Sequence, residues 1–164
     1  MRSSVITKVR LSDEAWIVTA LLHRENPDRN DFSISEIVER ARREGVCGEL
    51  RPGFRAHVTL HCVANRPPNP GKTRMLYATG KHTRRLYLPG DDSHPDRLGS
   101  DTAPCGSSVP SAYQDLLRWY KAFAVSRARE APDDPLMELF GSGKDLWADE
   151  KPDDYIRRLR EGWE

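Results

Sequence analysis

RPGFRAHVTLHCVANRPPNPGKTRMLYATGKHTRRLYLPG, residues 51–90, decides how this chain is read. It carries eight basic side chains, Arg51, Arg55, Arg66, Lys72, Arg74, Lys81, Arg84 and Arg85, together with three histidines and no acid. A solvated face normally mixes both signs, so a run of one sign describes a surface for a polyanion, with nucleic acid ahead of membrane headgroups. The first part, FRAHVTLHCVAN, is spaced as a helix ending at Asn65. Phe54, Val58 and Cys62 lie along one edge, Arg55 and Thr59 together beside them, and His57 and His61 one turn apart. After the turn-rich RPPNPGK, the segments Met75–Thr79 and Arg84–Leu88 read as two strands around a basic tip, Gly80-Lys81-His82-Thr83. Of the successive residues Arg84 and Arg85, only one can point to a given face of the hairpin.

Upstream, Ser12 is placed to cap a helix through AWIVTALLHREN, with Ile17, Ala20 and Leu21 as its apolar face and Pro27 beyond its end. Ser33-Ile34-Ser35-Glu36 is a capping-box pattern. The helix it opens has Ile34, Ile37, Val38 and Ala41 at i, i+3, i+4 and i+7, and Gly45 stops it. Downstream, residues 91–109 are turn-formers with few apolar anchors and read as a surface loop or linker. Pro110 starts another helix, in which Tyr113, Leu116, Leu117, Tyr120 and Ala124 recur at helical spacing and Trp119 and Phe123 widen the face. The expected fold is therefore mainly α with a small β-hairpin.

The net charge of +1 hides an asymmetry. Residues 1–100 hold 17 Lys and Arg against 12 Asp and Glu, whereas residues 101–164 hold 9 against 13, which suggests two surfaces with different partners. The last part is acidic and rich in helix breakers, yet it contains Trp147 and Trp163. Aromatic anchors of this kind dominate small interfaces, while the plainer reading is core packing by a terminal helix.

Three helices followed by a basic hairpin resemble a winged helix-turn-helix over residues 12–90. The resemblance implies a third helix entering the major groove of double-stranded DNA and a wing touching its backbone. On that reading Arg55, Thr59, Asn65 and His57 or His61 serve the helix, and Arg66, Lys72, Arg74, Lys81, His82, Arg84 and Arg85 meet phosphates. The segments Gly141-Ser142-Gly143-Lys144-Asp145-Leu146-Trp147-Ala148-Asp149 and Tyr155-Ile156-Arg157-Arg158-Leu159-Arg160-Glu161-Gly162-Trp163 resemble the C-terminal toxin-binding region of bacterial type II antitoxins of the Vap kind. That resemblance implies autorepression and neutralisation of a PIN-domain ribonuclease toxin. Leu146 and Trp147 would be anchors, Tyr155 and Trp163 would flank a short helix, and one of Arg157, Arg158 or Arg160 would meet the toxin's carboxylates.

The domain expectation is a winged helix-turn-helix over 1–90, a linker over 91–109, a helix over 110–130 packed on the domain, and an acidic partner-binding arm over 131–164, with a homodimer on DNA compatible with it. No cofactor, metal or enzymatic activity is expected. Two other readings compete with it, a nucleic-acid-binding accessory module of a bacterial defence or restriction system and a metal-dependent nuclease. The second rests on His57 and His61 at i, i+4 with Cys62 and Cys47 nearby, but it lacks the intervening glutamate of HExxH. Gly141-Ser142-Gly143-Lys144 fails as a phosphate loop because Glu138 stands where the first glycine is needed. Cys47, Cys62 and Cys105 lack CxxC spacing and are expected to be reduced thiols. With no secretory or membrane-spanning apolar run, the expected location is cytoplasmic.

Overall fold

Helix α1, Leu11–Glu25, is apolar around most of its circumference, and everything else is laid against it. The computed structural model describes residues 9–130 of the chain, and over that range the fold is mainly helical with one small antiparallel sheet. The chain divides into two units, residues 1–128 and 129–164, the first of which holds this core. Every residue of α1 from Ser12 to His23 is buried, so the helix has no solvent face over that length, only a core on all sides. Ser12 does not cap it. The N-cap is Arg10, two residues earlier, so the helix runs from Leu11 and Ser12 sits buried in its first turn. Two buried acids take over that end: Asp13 accepts from Arg10 (2.9 Å), and Glu14 accepts from Arg51 (2.6 and 2.9 Å). Carboxylates in a first helical turn also complement the helix dipole.

Strand β1, Phe32–Ser33, leads directly into helix α2, Ile34–Glu44. The capping box is present as read: Ser33 Oγ accepts from the Glu36 N–H (3.1 Å), and the Glu36 carboxylate accepts from the Ser33 N–H (2.8 Å). Arg29 and this N–H together hold the Glu36 carboxyl down to about 2. Ile34, Ile37, Val38 and Ala41 are all buried, and Gly45 ends the helix at φ 61°, a left-handed conformation that suits glycine.

Helix α3 starts as Phe54–Ala56 and continues as one π-helical stretch, His57–His61. It ends four residues short of the expected Asn65. From Cys62 the chain leaves the helix through turns, and Val63 bridges Leu76. Strands β2, Leu76–Ala78, and β3, Thr83–Leu86, form the expected hairpin, and β1 adds a third strand in the order β1-β3-β2. Two residues carry too little alternation for β1 to be read from sequence. The region 87–113 is less of a free loop than its composition suggests, because Arg97, Pro104 and Val109 are buried within it.

Helix α4, Gln114–Glu130, follows a single 3-10 turn, Ser111–Tyr113, that Pro110 caps. Its aromatic residues reach down onto α1. Tyr120 packs edge-on against Trp16 (5.5 Å), Phe123 lies against His23 (5.0 Å) and Trp119 stacks on Phe123 (4.8 Å). Arg24 pairs with Asp115 (2.6 Å), and Arg127 donates to the Pro27 carbonyl (2.7 Å). No helix among the described residues is long and apolar enough to cross a membrane.

His23, 1% exposed, is enclosed by Phe32, Phe123 and β3, and its Nε2 accepts the Leu86 N–H at 3.4 Å. Burial, aided by Arg127 and Arg85, lowers its pKa from the ordinary 6.5 to about 4. The unfolded chain therefore takes up the proton first as pH falls. Stability is full above pH 6.5 and is lost between there and pH 4, by about 3 kcal/mol at the lower end. Urea unfolding at pH 7 and pH 5 should show this fall in the natural chain and a much smaller one in His23→Leu; equal falls would contradict the assignment.

Candidate nucleic-acid interface

A helix leaves its last four carbonyls without helical partners. Here those of Val58, Thr59, Leu60 and His61 lie where the chain departs from α3, Leu60 also accepting the Val63 N–H at 3.2 Å, and two arginines from elsewhere in the sequence receive all four. Arg84 donates Nε to Val58 (3.1 Å) and Nη2 to Thr59 (2.9 Å). Arg97 donates Nη2 to Leu60 (2.8 Å) and Nη1 to His61 (2.9 Å). Each guanidinium has further carbonyl acceptors: Gly80 and Thr83 for Arg84, and Arg66, Pro67 and Thr73 for Arg97. Both side chains are buried, and none of these partners is a carboxylate. Desolvation lowers the pKa of both guanidiniums, and Arg66 adds like-charge repulsion at Arg84. An arginine remains charged even so. Gly71 belongs to the same construction, since a Cβ there would come within 2.8 Å of the His61 carbonyl oxygen.

The expected phosphate contacts divide accordingly. Arg84 is 1% exposed and cannot reach a ligand phosphate; it points inward with Leu86, while Arg85 takes the outer face of β3. Arg85 pairs with Asp91 (2.6 Å) and lies over the Tyr77 ring (4.5 Å). Arg74 donates to the Ser100 carbonyl (3.0 Å), and Arg51 is the partner of Glu14. Asn65 is likewise engaged within the fold, where its side-chain amide exchanges two 3.0 Å hydrogen bonds with the Ala78 backbone and extends the β2 edge. It is therefore not a helix-face residue available to a base.

Arg55, Arg66, Lys72 and Lys81 remain without an ionic or hydrogen-bonding side-chain partner among the described residues. Arg55 and Thr59 are exposed on α3, one turn apart, and the Thr59 hydroxyl donates back to the Arg55 carbonyl (2.7 Å). Lys81 and His82 are exposed at the hairpin tip. The tip is firmly attached: Ile34 N–H donates to the His82 carbonyl (2.9 Å), and Thr79 bonds Asp31 (2.6 Å) and Thr83 (2.8 Å). His57 donates Nδ1 to the Gly53 carbonyl (3.1 Å) and meets His61 edge-on at 4.9 Å. Burial, His57 and Arg97 lower the His61 pKa.

Cys62, the third residue of the metal reading, is a buried thiol that donates to the His57 carbonyl and whose pKa burial pushes up to about 12. Metal ligation needs a thiolate, which this environment disfavours. No cluster of three or more His, Cys, Asp or Glu suited to a metal occurs among the described residues. Leu146, Trp147, Tyr155, Arg157, Arg158, Arg160 and Trp163 lie outside the described residues.

Comparison of the chain with protein-family models, with curated proteins and with solved structures finds no match. The functional reading therefore rests on its own residues. Sequence reasoning missed Arg97, a single arginine in a turn-rich loop with no periodicity around it. Replacing it with leucine removes the donors for five carbonyls and should cost at least about 3 kcal/mol in urea unfolding. Lys72→Ala, at an exposed position, should change stability by under about 0.5 kcal/mol. A cost below about 1 kcal/mol for Arg97→Leu would contradict the role assigned to this guanidinium.

Proposed function

We propose that residues 11–88 act as a winged helix-turn-helix that binds double-stranded DNA, with α3 in the major groove and the β2–β3 hairpin as the wing. The order helix, strand, helix, helix, strand, strand supports this, as does the pairing of β1 with β3. The observation that carries the proposal is a set of cations without a side-chain partner among the described residues, on an acid-free segment: Arg55 on the helix, Lys81 at the hairpin tip, and Arg66 and Lys72 in the connection between them. Arg84 and Arg97 add buried positive charge beneath that segment, bonded to backbone carbonyls and to no carboxylate among the described residues. A phosphate backbone supplies the missing sign. Arg55 and Thr59 are placed for base edges, and Lys81 and His82 for phosphates.

From the tail sequence we infer a second activity, capture of a PIN-type ribonuclease toxin by the acidic arm, which would make the protein an antitoxin and autorepressor. Concentration of Trp147 and Trp163 in an acidic, breaker-rich segment favours intermolecular use. A defence or restriction accessory module would share the DNA-binding part and differ in its partner.

Anisotropy titration with duplex DNA from upstream of the gene should show binding that weakens linearly in log salt, with Lys81→Ala lowering the slope by about 1. No binding at low salt would remove the proposal. Deleting residues 133–164 should leave this titration unchanged and abolish co-purification with a toxin encoded beside the gene. Retained capture would refute the arm's role.

A further inference from the structure

We propose that Arg84 is a positioning residue for DNA binding, which locks the hairpin tip to α3 so that both engage one duplex together. This inference rests on the duplex-binding reading above. Arg84 lies on β3, the central strand of the sheet, paired with Phe32 on one side and Ala78 on the other. Its Nη1 donates to the carbonyls of Gly80 (3.0 Å) and Thr83 (2.7 Å), which bracket the tip residues Lys81 and His82. Its Nε and Nη2 hold the carbonyls of Val58 and Thr59, in the turn of α3 whose outer face carries Thr59 beside Arg55. One planar group therefore bonds both contact elements.

The guanidinium suits this role because its donors point in fixed directions within one plane, so four acceptors held at once define a relative orientation. A lysine ammonium at the same place keeps the charge but has three donors and no plane. The expected consequence follows from linked binding: when two contacts are held in register, forming the first places the second at high effective concentration, and loosening the link forfeits part of the second contact. The tip has its own attachment, to the first residue of α2 through the Ile34 N–H and to Asp31 just ahead of β1, so loss of the Arg84 link does not by itself release the hairpin from the fold.

The test compares the full chain with Arg84→Lys, Gly80→Ala and each of these combined with Lys81→Ala, by salt-dependent anisotropy on one duplex. Gly80→Ala reaches the same link from the other side, because its new Cβ would meet Thr83 Oγ1 at 2.8 Å and displace the Thr83 side chain, which bonds Thr79 and sits beside the two carbonyls that Arg84 holds. It serves if Arg84→Lys does not fold, as judged by circular dichroism. In the natural background Lys81→Ala should weaken binding several-fold and lower the salt slope by about 1. In the Arg84→Lys or Gly80→Ala background the slope should already be lowered, and adding Lys81→Ala should change affinity less than two-fold. A merely stabilising Arg84 would leave the slope and the Lys81 effect intact in any folded variant, and that result overturns the proposal. Absence of binding by the natural chain overturns the duplex reading and this inference with it.

Discussion

The four C-terminal carbonyls of α3, held by two buried arginines, are the constraint on which the rest of the structure depends. A helix that ends against a sheet cannot turn its last carbonyls to water, and an unpaired buried carbonyl costs about 1 to 3 kcal/mol. Arg84 and Arg97 resolve this with charge-assisted donors whose positive charge also complements the helix's negative end. Because Arg84 comes from β3 and Arg97 from the loop beyond it, satisfying one helix end draws hairpin, connection and downstream loop into a single arrangement. The π-helical widening of His57–His61 belongs to the same arrangement, since irregular helical turns place carbonyls where a regular helix would not.

The same constraint shapes the proposed interface. Arginines with carbonyl partners keep their charge inside the protein without a local acid, while Arg55, Arg66, Lys72 and Lys81 keep theirs at or near the surface. Acids that approach the basic segment are engaged within the fold: Glu14 on Arg51, Asp91 on Arg85, Asp92 on Tyr77 and Asp31 on Thr79. The outcome is a helix face carrying Arg55 and a hairpin tip carrying Lys81, mounted on a core built around α1. Near neutral pH, His23 contributes to that core as an uncharged ring, so the platform loses stability on acidification before its carboxylates titrate.

Local signals were legible where chemistry is local. Ser33 and Glu36 three residues apart, four apolar residues on one stripe and a glycine after them specify α2 completely. The hairpin was legible from apolar and aromatic residues around a Gly-Lys-His-Thr tip. The start of α1 was not, because Arg10 and two buried acids replace the cap that Ser12 offered, and the burial of its other faces depends on aromatics a hundred residues away in α4. The end of α3 was missed because Cys62 to Asn65 still fits a helical wheel, and the bridge between Val63 and Leu76 draws it out of the helix into turns. Strand alternation showed that Arg84 and Arg85 face opposite ways but not which one faces inward; the carbonyls of α3 decide that.

Chemical-shift mapping of the labelled full chain with a DNA duplex at low salt tests the central claim most directly. Large amide shifts are expected within residues 54–61, 66–72 and 79–82, with Arg55 and Lys81 among them and the exposed loop at 105–108 unchanged. Shifts that fall elsewhere on the domain, or none at all, would contradict it.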